Sequence, residues 1–315
     1  MDAITDIPLD LPVHDEAPLR LVPSRVVTEW PVGTFVENLA PLDDGSFAIS
    51  VLSEARLDRV WPDGRHETML QLAAPPTGLV RVRDNLYICV GVPDQTPSTL
   101  WRLDLSTGDA GPLFVAEGAI FMNGMAALSD TVLLAAEAAQ GRVLRLDLET
   151  ESTSTWIQDE RLTRWPGASF LPGTNGIKSF GGYVYVTSNA RALLCRMEIR
   201  SDGSSGPLEL CAERMRGDDL AFDVDGNLYV ATHMGHTLDR IAPGGERVTL
   251  AGPDQGLAGS TACAFGIAGP DCDALYVTTT GGIIGPKDGA VQPARLVRLE
   301  IGATGAPLVP TSGAQ

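Results

Sequence analysis

One short pattern returns six times along this chain, and a chain that repeats itself has to build a repeating fold. Each copy opens on a polar or small residue, runs through an apolar stretch and a turn, and most close on an apolar-Arg-apolar strand. The openings are Glu37-Asn38-Leu39-Ala40, Thr77-Gly78-Leu79-Val80, Asn123-Gly124-Met125-Ala126, Asn175-Gly176-Ile177-Lys178, Asp218-Asp219-Leu220-Ala221 and a last one near Phe265-Gly266-Ile267. They start at 37, 77, 123, 175, 218 and 265, so the gaps are 40, 46, 52, 43 and 47 residues. Each copy has room for four short strands, which is the signature of propeller blades. Solenoids of helical pairs share the period, but β-branched and aromatic runs, Gly turns and the lack of long 3.6-residue periodicity argue against them. The sequence therefore predicts an all-β, six-bladed β-propeller.

Rotation about the channel makes equivalent residues of the innermost strands a ring at one mouth. That ring is expected to hold Glu37, Thr77, Asn123, Asn175, Asp218 and a small or apolar residue near Phe265. The segment 19–31, with Val26-Val27-Thr28-Glu29-Trp30, reads as a strand without a partner in its own repeat. Pairing it with the last blade would remove two open sheet edges, so an N-terminal strand is expected to close the ring there. The organisation follows: an N-terminal arm over 1–18, a propeller over 19–301 and a flexible tail over 302–315. Three connections are long: 91–99, 157–174 and 281–294. The second carries Trp165, Phe170 and Leu171, and it reads equally as a flap over a site or as a plain surface connection.

With 23 basic and 40 acidic residues, the net charge of −17 disfavours nucleic acid and anionic membranes as partners. Five cysteines without a CxxC pair read as reduced residues, which points to a cytoplasmic protein. The N-terminus lacks a signal-peptide-like apolar stretch, and no run approaches the length of a membrane span. The expected partner is a small molecule, bound by a monomer or a weak homo-oligomer.

Glu37, Asn175 and Asp218 are oxygen donors far apart in sequence but equivalent in the repeat. Convergent carboxylates and amides are what a hard cation such as calcium or magnesium selects. Asn123 is a fourth donor, for the cation or for substrate. Asn123-Gly124 and Asn175-Gly176 can also be read as turn dipeptides. His233 follows the second strand of the fifth copy and either faces the channel or sits satisfied between strands. With four histidines in the chain, a His-rich metal site is disfavoured. No nucleophile elbow or phosphate loop is present.

From Pro31 to Leu299 the chain resembles the regucalcin/gluconolactonase family of six-bladed propellers. The residues that carry the resemblance are Phe35-Val36-Glu37-Asn38-Leu39-Ala40, Asn123-Gly124-Met125, Asn175-Gly176-Ile177, Asp218-Asp219-Leu220-Ala221-Phe222-Asp223, and Thr261 to Gly266 with Leu275-Tyr276-Val277-Thr278-Thr279. The Glu-Asn-Leu-Ala and Asp-Asp pairs look closest to a branch common in fungal specialised metabolism. The resemblance implies one divalent cation held by Glu37, Asn175 and Asp218, calcium ahead of magnesium, manganese or zinc, with Asn123 on metal-bound water or substrate. It also implies lactone hydrolysis, with Asp218 or Asp219 as base. Two positions depart from the family's sugar lactonases. Phe121 stands where they carry Arg, and Asp219 stands where they carry Gly. A pocket of Phe35, Phe121, Met122 and Trp165, with His233 beside it, suits an apolar cyclic ester better than a polyol. The alternatives are a non-hydrolytic enzyme of specialised metabolism (cyclisation, cycloaddition or isomerisation) and a small-molecule binding protein.

Overall fold

The computed structural model describes residues 1–307. Six four-stranded antiparallel sheets make the six blades. Their innermost strands are Val36–Pro41, Pro76–Val82, Met122–Ala127, Thr174–Phe180, Leu220–Phe222 and Ser260–Phe265. The second strands are Phe47–Val51, Asn85–Val90, Val132–Glu137, Tyr183–Ser188, Leu228–Thr232 and Ala274–Thr279. Inner strands such as Val36–Pro41 and Met122–Ala127 are buried along their whole length, whereas the outer strand His66–Gln71 is largely exposed. That gradient explains the sequence pattern. A strand with both faces packed between blades reads as a continuous apolar run, and only the outer strands are free to be polar.

The core lies between the blades. Val80, Tyr87 and Leu100 of the second blade pack with Met122, Met125 and Leu133 of the third. The ring closes as expected. The strand Ser24–Val32 pairs antiparallel with Pro293–Glu300 and becomes the outer strand of the last blade. Trp30 then packs with Val36, Phe47 and Ile49 of the first blade. Its indole Nε1 donates to Asp58 Oδ2 at 2.8 Å, which fastens the closing strand to the first blade.

Asn123-Gly124 and Asn175-Gly176 are not turns. Both lie inside inner strands. A Cβ on Gly78, Gly124 or Gly176 would run into the backbone carbonyl of Asn123, Asn175 or Asp218 in the next blade. Glycine is there because inner strands converge around the channel, not because the chain reverses.

The 1–18 segment crosses the upper face. Ile4 pairs with Ile284, Arg216 Nε donates to Pro12 O at 3.0 Å, and Leu11 is buried with Ala168, Leu171, Ala190 and Ile284. The expected 302–315 tail lies outside the described residues beyond 307. Its described part is hydrogen-bonded at the lower mouth, where Val224 N donates to Thr304 O at 2.9 Å and Ala306 N to Phe222 O at 2.8 Å.

Candidate functional site

Four inner strands carry a register shift near their upper end, between Val36 and Leu39, Pro76 and Leu79, Met122 and Met125, and Thr174 and Ile177. The last blade has a shorter one, between Ser260 and Ala262. A bulge turns a side chain out of the sheet's alternation. The residues in these bulges include Glu37, Thr77, Asn123, Asn175 and Thr261. Thus the sixth ring position is Thr261, not a residue near Phe265. Thr261 Oγ1 donates to Val36 O at 2.9 Å as Thr77 Oγ1 donates to Met122 O at 2.7 Å, the same link to the next blade. The last inner strand runs from Ser260 to Phe265, so Phe265 stands at its lower end and not at the ring. Phe265 instead packs near the lower mouth, edge-on against Tyr229.

A cavity of about 330 Å³ sits over this ring. Glu37, Asn123, Asn175, Asp218 and His233 line it, with Phe35 and Phe121. Loop residues Pro93, Phe170, Leu171, Ile283 and Ile284 complete it, so each of the three long connections reaches the cavity. Met122 and Trp165 do not line it. Met122 is on the other side of its bulged strand, buried with Met125, Leu133 and Leu144. Trp165 lies on the outer side of its loop, under the Arg191 guanidinium at 4.8 Å, and donates to Asp10 Oδ2 at 3.3 Å. Asp219 also turns away from the cavity. Lys178 Nζ holds its carboxylate from below at 2.7 and 3.0 Å. Asp219 therefore has its counter-charge and no access to a ligand above.

Asp218 has a different environment. Asn175 Nδ2 donates to its Oδ1 at 2.7 Å, and His233 Nδ1 lies 3.2 Å from its Oδ2. His233 Nε2 is 3.0 Å from Thr280 Oγ1, so both ring nitrogens have partners and the imidazole is fixed. Burial lowers His233 to about 4, so it is neutral near pH 7. Burial, then the neighbouring Asp219 carboxylate, raises Asp218 well above the ordinary range. Burial, then the Asp218 charge, raises Glu37 to about 8. Among the described residues, no Lys or Arg forms an ion pair with either carboxyl.

Two buried carboxyls without a counter-charge are expensive in a folded protein. One amide near them is unsatisfied as well. Asn189 Oδ1 is buried without a hydrogen-bond partner, at about 1–3 kcal/mol for such a group, and the Asn123 amide is turned toward Glu37, whose pKa it lowers without offsetting burial. No three His, Cys, Asp or Glu side chains cluster as a metal site among the described residues. Glu37 and Asp218 with the amide oxygens of Asn123 and Asn175, all lining the cavity, make a set of oxygen donors that fits a hard divalent cation.

Asn189 was not singled out in the sequence. It stands directly after a second strand, as do Leu52, Gly91, Ala138, His233 and Thr280 in the other blades. Aligning the ends of the second strands, and not only the openings of the repeats, would have found this second tier.

The family described as "SMP-30/Gluconolactonase/LRE-like region" matches residues 52–281. No curated protein sequence matches the chain. Among solved structures, a calcium-binding regucalcin of Agrobacterium tumefaciens is similar at a TM-score of 0.70 and 18% identity, over 92% of this chain and 97% of that one. A gluconolactonase of Xanthomonas campestris is similar at a TM-score of 0.67 and 17% identity, over 96% and 99%. Virginiamycin B lyase of Staphylococcus aureus is similar at a TM-score of 0.56 and 13% identity, over 85% and 81%. At these identities the likeness is one of fold.

Proposed function

The chain belongs to the SMP-30/gluconolactonase/LRE-like family, and on that premise we propose that it is a divalent-cation-dependent hydrolase of a fairly apolar cyclic ester. One observation carries the reading: Glu37 and Asp218 are buried, uncompensated and directed into one cavity. Glu37, Asn175 and Asp218 would hold the cation, with calcium the first candidate. Bound there, it would polarise the ester carbonyl. The protein's own residues supply the remaining chemistry. Asn123 lines the cavity beside Glu37 and is placed to donate its amide to a carbonyl oxygen. Asp218, backed by His233, is placed to take a proton from an attacking water and return it to the leaving alkoxide. Asp219 acts on Asp218 through its charge and not as a base. Phe35, Phe121, Pro93 and Phe170 supply an apolar wall that a polyol would not fill.

A lactone panel assayed with calcium and then with excess chelator tests this reading. Cation-dependent hydrolysis of an alkyl-substituted lactone is the expected result. Hydrolysis untouched by chelation would sink it. A second reading, ring opening or isomerisation without added water, draws on the roof of Ile4, Phe170, Leu171 and Ile284, which limits water above the site. Turnover in ¹⁸O-labelled water separates the two, because only hydrolysis incorporates the label. We also propose a small-molecule ligand as the principal partner, a monomeric or weakly associated chain and a cytoplasmic location. Among the described residues no helix is long and apolar enough to cross a membrane.

A further inference from the structure

Each junction between neighbouring blades holds one apolar cluster, which accounts for six among the described residues. A seventh lies on the upper face and contains no strand residue. Leu11 of the 1–18 segment is buried in it with Ala168 and Leu171 of one long connection, Ala190, and Ile284 of another. No blade rests on this cluster. Its place over the mouth accounts for it instead. Leu171 and Ile284, with Ile4 and Phe170 packed against the cluster, also line the cavity. The 1–18 segment thus shares a small core of its own with two loops, and that core is the roof of the site.

The parts of the segment are held in different ways. Residues 12–15 are clamped by arginines. Arg216 Nε donates to Pro12 O at 3.0 Å, Arg214 holds the Asp15 carboxylate through two bonds of 2.6 Å, and Arg247 Nη2 donates to Asp15 O at 2.7 Å. At the far end, Ile4 N donates to Ile283 O at 2.8 Å and Gly285 N donates to Ile4 O at 3.0 Å. Between them, residues 5–11 make backbone bonds only among themselves within the described residues. Leu11 packing and the 3.3 Å bond from Trp165 Nε1 to Asp10 hold this stretch down. Apolar contact is non-directional, so it can part and re-form without stranding backbone groups. From this geometry we infer that residues 1–11 are the size filter of the mouth. They form a wall that water passes and a bulky ligand has to displace, they swing on the clamp at 12–15, and Leu11 is the residue that positions them. The inference rests on the mouth being the binding site and not on the cyclic-ester chemistry done there.

A thiol on the cavity floor tests the filter. Asn123→Cys is made alone and combined with Leu11→Asp or Leu11→Ala. Each protein is treated with methyl methanethiosulfonate, a small reagent, or N-phenylmaleimide, a bulky one. Mass spectrometry of the peptide carrying position 123 gives both rates, and their ratio cancels the reactivity of the thiol itself. An aspartate is too costly to keep in an apolar cluster, so Leu11→Asp should release the segment. The bulky-to-small ratio should then rise at least about tenfold, the scale set by burying one leucine. Leu11→Ala should raise it less, and it decides the matter if Leu11→Asp does not fold. The buried Cys89 and Cys263 report on the blades and should stay unmodified. An unchanged ratio, or modification of Cys89 and Cys263 in step with position 123, would overturn the assignment. A rise in the ratio together with a failed lactone panel would leave the filter in place and remove only the hydrolase reading.

Discussion

Asp58 and Glu37 are both buried carboxyls of the first blade, and their surroundings treat them in opposite ways. Asp58 receives Arg56, His66 and Trp30 at 2.7, 2.8 and 2.8 Å. Burial alone would raise its pKa, but the bonds from His66, Arg56 and Trp30 outweigh burial and bring it to about 2. Glu37 has no cationic partner of this kind and is pushed the other way, to about 8. The fifth blade repeats the contrast. Asp239 is held by Arg247 at 2.7 Å with Thr237 and Thr249 beside it, whereas Asp218 is left with the neutral Asn175 and His233 and the like charge of Asp219. Third-strand carboxyls therefore tie strands and blades together. Inner-strand carboxyls at the mouth are kept uncompensated, which is a state a cation would relieve.

The sharpest way to break this contrast is to neutralise one carboxyl of each kind. Asp218→Asn and Glu37→Gln should abolish cation binding and any cation-dependent turnover, while the cation-free protein melts at or above wild type. Asp58→Asn should do the reverse. It weakens the acceptor shared by Arg56, His66 and Trp30 while Arg56 keeps Glu54, so stability should fall by about 1–3 kcal/mol while the folded fraction keeps its cation. Denaturant titrations with and without calcium read both effects.

The pH dependence has opposite signs at the two places. Asp58 is depressed, so its contribution is present above the ordinary carboxyl range and is lost as pH falls toward about 2. Glu37 is raised, so its contribution is present at acid pH and is lost as pH rises through about 8. Cation-free protein should thus lose stability between pH 4.5 and 8 from Glu37, and saturating calcium should remove that slope. Melting curves across this range decide the point.

A smaller effect is expected from Asp219. Asp219→Asn releases Lys178 and removes a charge that raises Asp218, so calcium affinity should change by about tenfold in calorimetry. A loss as large as that of Asp218→Asn would place Asp219 among the ligands.

The six-fold grammar made the propeller and its closing strand legible, because inner-strand burial and the repeat spacing are written in the apolar pattern. The first ring of the mouth was legible for the same reason, as equivalent positions carry Glu37, Asn123, Asn175 and Asp218. Its sixth member was not, because Phe265-Gly266-Ile267 resembles the Asn175-Gly176-Ile177 opening but stands four residues beyond the ring position, Thr261. Met122 and Trp165 were assigned to the cavity on apolar character alone, and nothing in a single sequence says which side of a bulged strand or loop they face. Asn189 was hidden because its significance lies in a hydrogen bond that is missing, which only coordinates can show.

Calcium calorimetry at pH 7, repeated in two buffers of different ionisation enthalpy, tests the central claim most directly. If the mouth carboxyls are held protonated for want of a counter-charge, calcium binding must expel about one proton or more, and the release must fade as pH rises well above 8. Glu37→Gln and Asp218→Asn should show neither the heat nor the proton. Binding without proton release, or full binding by either variant, would contradict the account.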